Sequence, residues 1–278
     1  MIVDTHPFWN RAFMMKSTTF KGSIKRSFSK ASATYDSFSR VQNEVNERLL
    51  SFVPERHFKR AMEIGCGTGG FSKELLSNRE IDNLFGIDFS FGMLVRAKKN
   101  LKQLPDSLYL LCCDGEHICF RPGVKFDLIV SASCMHWFQD LYDAFESICK
   151  FYLAPSGHLV CALFGKRTLP ELEQVIRIVS NGRAFSLPTS NFPSKATIEA
   201  MLKSITTDIL IESVIIERHY SGLMELLLAL KKTGTAASIG VKPVFRTKGA
   251  IKRADKIYKD LYGSIRATYQ VIFFRVNY

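Results

Sequence analysis

Between residues 61 and 71 the chain reads Ala-Met-Glu-Ile-Gly-Cys-Gly-Thr-Gly-Gly-Phe, an apolar run with one acidic residue that leads straight into closely spaced glycines. No other stretch so narrows the folds open to this chain. Gly65, Gly67 and Gly69 carry no Cβ, so the backbone can turn sharply after a strand and present its N–H groups at the start of a helix. Phe71-Ser-Lys-Glu-Leu-Leu76 reads as that helix. Gly65, Gly67 and Gly70 also satisfy the GxGxxG spacing of dinucleotide loops, so the loop by itself leaves the ligand open.

The segments that follow repeat the strand–helix rhythm. Leu84-Phe-Gly-Ile87 reads as a second strand ending at Asp88, placed where a carboxylate can accept from ribose hydroxyls. Leu108 to Cys113 reads as a third strand ending at Asp114-Gly115, and Phe126 to Val130 as a fourth, running into Ser131-Ala-Ser-Cys-Met-His136-Trp137. A fifth runs from Gly157 to Phe164. Such alternation predicts an α/β fold with a Rossmann-like, doubly wound parallel sheet, whose ligands bind at the carboxyl ends of the strands. Ser131, at such an end, is therefore a candidate cofactor contact.

Around this core, residues 26–60 read as N-terminal helices, with apolar positions at helical spacing from Ile24 to Val53 and Pro54 as the stop. Residues 1–25 read as a weakly structured extension. Beyond the core at 61–165, residues 166–265 read as a helical lid and late sheet elements, and 266–278 as an antiparallel last strand. Thr168-Leu-Pro-Glu171 has the form of a helix start, with Thr168 as N-cap and Glu171 closing a capping box. Ile209 to Tyr220 reads as a strand, Leu223 to Thr233 as a helix stopped by Gly234, and 249–262 as a basic helix.

Composition restricts function from another side. With 278 residues and 46% apolar content, one full core is expected. No apolar run approaches the about 20 residues a bilayer span takes, and Asp4, His6 and Arg11 interrupt any signal-peptide core. The seven cysteines include no CxxC pair, which predicts reduced thiols in a cytoplasmic protein and no metal site. The net charge of +12 gathers in two places: Arg11, Lys16, Lys21, Lys25, Arg26 and Lys30, and a second group from Lys242 to Arg266. Both lie outside the expected cofactor core and suit a polyanionic partner.

The stretch Asp88-Phe-Ser-Phe-Gly-Met93-Leu94 resembles the Asp-x-Ser-x-x-Met-Leu segment of class I methyltransferases dependent on S-adenosyl-L-methionine. A narrower resemblance, over roughly residues 25–278, is to the malonyl-acyl-carrier-protein O-methyltransferases of biotin synthesis. It rests on Phe28-Ser-Lys-Ala-Ser-Ala-Thr-Tyr35-Asp36, Val41-Gln42, Trp137, Phe164-Gly165, Thr168-Leu169, Leu230-Lys-Lys-Thr-Gly234 and Thr268-Tyr-Gln-Val271. His136 departs from the Gln usual before the Trp, and residues 1–25 have no counterpart.

The resemblance implies a cofactor site of Glu63, Gly65, Cys66, Gly67, Gly69, Asp88, Phe89, Met93, Asp114, Gly115, Ser131 and Tyr35. It implies an acceptor site of Tyr35, His136, Trp137 and Phe164, with Arg167 a candidate to pair with the substrate carboxylate and Lys166 or Lys232 as alternatives. No catalytic base is expected, because the free carboxylate of a malonyl thioester is already ionised and needs alignment and desolvation. The implied partner is an acidic acyl-carrier protein, which the basic clusters would attract; no membrane partner is expected, and nucleic acid is disfavoured. Competing readings are methyl transfer to another small carboxylic acid, a quinone precursor or RNA, and a non-catalytic assembly factor that kept the fold.

Overall fold

A computed structural model describes residues 11–103, 107–121, 123–180, 187–235, 245 and 247–278, with side chains from residue 20 onward. Three helices, α1 (Arg11–Ala31), α2 (Tyr35–Phe38) and α3 (Arg40–Leu50), precede β1 (Phe58–Ile64), α4 (Gly70–Asn78), β2 (Ile81–Asp88) and α5 (Phe91–Asn100). β3 (Leu108–Cys112), β4 (Phe126–Ala132), α6 (Leu141–Ser147) and β5 (Leu153–Phe164) complete the parallel portion. Then come α7 (Pro170–Val179), α8 (Lys195–Lys203), β6 (Ile209–Tyr220), α9 (Leu223–Lys232), α10 (Lys248–Tyr262) and β7 (Ile265–Asn277).

The described strands form one sheet in the order β3-β2-β1-β4-β5-β7-β6. The first five run parallel, and β7 is antiparallel to both β5 and β6. Both faces are covered, so the central strands are apolar on alternate residues in both directions. Val160 and Ala162 of β5 and Val271 and Phe273 of β7 enter the core beneath α3, α4, α7, α9 and α10. Leu159, Cys161 and Leu163 with Ile272 and Phe274 enter the one beneath α6 and α8. The order reverses between β1 and β4, and the crevice there opens beside the glycine loop.

Three expectations need correction. The segment before residue 26 is not a weakly structured extension throughout: α1 begins at Arg11. The single helical pattern from Ile24 to Val53 is broken twice, because the Ser32 and Thr34 hydroxyls take the carbonyls of Ser29 and Ala31, and Ser39 takes that of Asp36. Thr168 does not cap α7. Its hydroxyl donates to the Gln270 carbonyl, Glu171 accepts from Thr268, and Leu169 opens the helix in a left-handed conformation at φ 59°. No helix among the described residues is long and apolar enough to cross a membrane.

Candidate active site

The glycine loop follows β1 directly. Gly65, Gly67 and Gly69 all take positive φ, 75°, 54° and 85°, which explains why the loop is built of glycine. A Cβ on Gly65 would collide with the Cys134 side chain, whereas one on Gly67 would meet nothing within 4 Å. The loop is therefore packed behind Gly65 and open at Gly67.

Asp88, at the end of β2, is 8% exposed. Its Oδ2 accepts from the Gly67 N–H at 2.9 Å and its Oδ1 from the Ser90 N–H at 2.7 Å. Burial pushes its carboxyl up to about 6, against the lowering effect of those two N–H groups. Glu63 is more extreme. At 1% exposure it receives the Ser72 hydroxyl on Oε2, while Oε1 is buried with no partner. Burial raises it to about 7, the Ser72 bond opposes, and the charges of Asp88 and Glu74 add to the rise.

Three hollows that share lining residues open at this end of the sheet, the first two against these carboxylates. The first, about 710 Å³, is bounded by Gly65, Gly67, Asp88, Phe89 and Met93 from the loop and β2, and by Asp114 and Gly115 after β3. Tyr35 and Trp137 stand where it meets its neighbours. The second, about 970 Å³, holds Glu63, Cys66 and Gly69. The third, about 510 Å³, holds His136, Trp137, Phe164, Thr168, Tyr220 and Tyr269.

Tyr35 owes its place to Asp36, whose carboxylate takes the Thr68 hydroxyl at 2.6 Å and the Asn100 amide at 3.1 Å, lashing α2 to the glycine loop. Burial, then the charges of Asp88 and Asp36, push its phenol up, so it is neutral. His136 is enclosed by Trp137, Phe164 and Phe192, with ring centroids 5.0, 5.0 and 4.7 Å away. Burial lowers it to about 3. Its Nδ1 accepts from the Phe164 N–H at 3.4 Å, which leaves the proton of the neutral ring on Nε2.

Two expected contacts fall elsewhere. Ser131 is fully buried within the sheet, its hydroxyl bonded to the Ile64 carbonyl at 2.9 Å, and Ala132, Ser133 and Cys134 line the cleft in its stead. Arg167 is exposed and lines none of the three hollows, because the Thr168–Gln270 bonds turn its residue outward. Lys21, Ile24 and Phe28 of α1 do line the first hollow, and sequence reading did not find them. Neither did it find Ser133, held at φ 57° with a buried hydroxyl that has no partner.

The orphaned Glu63 and Ser133 oxygens and the open face of Gly67 fit a ligand that brings its own donors, such as an amino acid joined to a nucleoside. Residues 62–161 match the family model described as a methyltransferase domain. The chain belongs to the class I methyltransferases, and its cofactor is S-adenosyl-L-methionine.

Within that class it is similar to proteins named malonyl-[acyl-carrier protein] O-methyltransferase. That of Magnetococcus marinus is 35% identical over 195 residues, 70% of this chain and 68% of its own. One from Ilyobacter polytropus is 27% identical over 257 residues, 91% and 96%. The human protein named arginine-hydroxylase NDUFAF5, mitochondrial, is also 27% identical, over 85% of this chain and 69% of its own. Among solved structures, YcgJ of Bacillus subtilis superposes with a TM-score of 0.58 at 15% identity, over 84% of this chain and 97% of its own. Phosphoethanolamine N-methyltransferase 2 of Haemonchus contortus, in complex with S-adenosyl-L-methionine, gives 0.56 at 19%, over 90% and 57%.

Proposed function

We propose that this methyltransferase methylates the free carboxylate of a malonyl thioester carried on an acidic acyl-carrier protein, as in the early steps of biotin synthesis. One observation carries the reading. The third hollow, which adjoins the cofactor cleft at Trp137, holds no group that takes up a proton at ordinary pH. His136 stays neutral down to about 3, and Tyr269 is pushed well above the ordinary tyrosine range by burial and by Tyr220, 3.4 Å away. An alcohol, phenol or amine acceptor would need a base there. A carboxylate arrives as the nucleophile, and an aromatic enclosure that strips its water raises its reactivity.

S-adenosyl-L-methionine supplies an electrophilic methyl group on a sulfonium. For the rest, Glu63 Oε1 accepts from the methionyl ammonium, Asp88 holds the ribose and Asp114 the adenine edge, with Gly65, Gly67 and Gly69 giving backbone approach. Cys66, Phe89, Met93 and Gly115 pack the cofactor's sides. Tyr35 closes over the junction of the hollows, and His136 donates from Nε2 to the acceptor between Trp137 and Phe164. The names of the bacterial relatives support the acyl-carrier assignment.

The test is transfer of labelled methyl from S-adenosyl-L-methionine to malonyl-acyl-carrier protein, with malonyl-coenzyme A, acetyl-carrier protein and bulk RNA as parallel acceptors. Base-labile label on the malonyl carrier and none on the acetyl carrier is the expected result. Cofactor binding without transfer to the malonyl carrier overturns the reading, and label on RNA replaces it.

A further inference from the structure

α1, which begins before the family-like part of the chain and runs into it, reaches the cofactor cleft and is held by very different means at Lys21 and around Ser29. Its C-terminal part is clamped. A Cβ on Gly92 of α5 would lie 3.1 Å from the Ser29 carbonyl oxygen, and one on Gly234, in the turn after α9, would lie 3.0 Å from the Phe28 ring, so α5 and that turn both meet α1 at a close approach that glycine permits. The Ser29 and Ser90 hydroxyls share a hydrogen bond at 2.8 Å across the same contact.

Two turns earlier the hold is ionic. Lys21 Nζ lies 2.5 Å from Asp114 Oδ2 and also bonds Glu116 Oε2. Glu116 is itself fixed, its side chain 8% exposed and its Oε1 receiving the N–H groups of Gln139 and Asp140 at 2.7 and 3.1 Å. Asp114 Oδ1 takes the Glu116 N–H at 3.1 Å. One ammonium thus joins α1 to the loops after β3 and β4, across the first hollow that Lys21 and Asp114 both line. The His117 ring, 3.6 Å from Asp114, is 83% exposed and sits on the same loop as Asp114, so it ties no second element to it.

We propose that Lys21 is a positioning residue whose pairing with Asp114 and Glu116 holds α1 shut over the cofactor cleft, so that entry of S-adenosyl-L-methionine and exit of S-adenosylhomocysteine require the pair to open. Opening the pair does not depend on pH near neutrality. Burial alone would lower Lys21 and raise Asp114, yet their mutual bonds reverse both shifts, so the pair stays charged through neutrality. A partly buried contact pair is screened much less than an exposed one, so ionic strength loosens it only weakly.

The experiment follows S-adenosylhomocysteine binding to the whole protein by stopped-flow fluorescence, in parallel with amide hydrogen exchange of residues 20–31. Lys21→Met keeps the aliphatic stem and removes the charge. It is expected to raise both association and dissociation rates, dissociation by about ten-fold, the scale of a charge-assisted hydrogen bond. Exchange in α1 should quicken even with ligand bound, and Lys21→Arg should restore wild-type rates. Unchanged dissociation overturns the proposal. So does faster dissociation with unchanged association and exchange, which would make Lys21 a direct ligand contact. Neither readout depends on the identity of the methyl acceptor.

Discussion

At the scale of single residues, Glu63 is placed where folding alone would not place it. Its carboxyl is raised from an ordinary value of 4.5 to about 7, first by burial. A carboxyl raised in the folded state stabilises that state fully below its unfolded pKa, and the contribution is lost as pH rises through the folded value. The cofactor-free protein should therefore lose stability between pH 4.5 and 7, by up to about 1.4 kcal/mol per pH unit. Glu63→Gln should remove most of that fall and leave the variant more stable than wild type at pH 8 by about 1–3 kcal/mol, in urea titrations at pH 5 and 8. Asp88, raised to about 6, accounts for what remains. The same variant should bind S-adenosylhomocysteine at least ~10-fold more weakly, since it lacks the charge for the ligand's ammonium. Wild type should release a proton on binding at pH 6.5, read as buffer-dependent heat, and the glutamine variant should release less. A glutamine variant no more stable than wild type at pH 8 would show that burial does not raise the Glu63 carboxyl in the free cleft.

At the scale of elements, Ser131 separates what builds the sheet from what holds the ligand. Its hydroxyl joins β4 to the carbonyl of Ile64, the last residue of β1, three residues before the open face of Gly67. Ser131→Ala should cost about 1–2 kcal/mol of stability, while S-adenosylhomocysteine affinity stays within about two-fold by calorimetry; a large affinity loss would make Ser131 a ligand contact after all. The strands were legible because each is a short, nearly continuous apolar run between turn residues. β6 was read at its observed bounds, Ile209–Tyr220. The glycine loop, Asp88 and Asp114 were legible because turn chemistry is local. What escaped depends on distant partners. α1 docks on Gly92 and Gly234, and nothing local in its sequence announces either. The capping box at Thr168 is correct as local chemistry, but Gln270 and Thr268 claim its two side chains once β7 arrives. Arg167 was placed in the acceptor site by a resemblance of neighbours and turns outward for the same reason.

At the scale of the whole molecule, the first basic cluster reaches the cofactor cleft through Lys21, whereas the charge of α10 lies outside the three hollows. Lys248, Lys252, Arg253 and Lys256 are exposed along α10. None of these four forms an ion pair among the described residues, whereas Lys259 is spent on Asp255 at 2.8 Å. α10 packs on α7 and α9, and Leu230 and Thr233 at the end of α9 wall the third hollow, the proposed acceptor site. A polyanionic carrier drawn to this face would deliver its arm near that hollow, whereas a small acceptor would gain nothing from it. Surface charge of this kind acts chiefly on encounter rate and is screened by salt. Lys252→Glu, Arg253→Glu and Lys256→Glu together should therefore raise KM for the carrier-borne acceptor by about ten-fold at low ionic strength, leaving kcat and the KM of malonyl-coenzyme A unchanged. Added salt should bring wild type towards the variant. Equal losses on both acceptors would show that the substitutions had damaged the hollow itself, and no loss on either would leave the basic face of α10 without a part in docking.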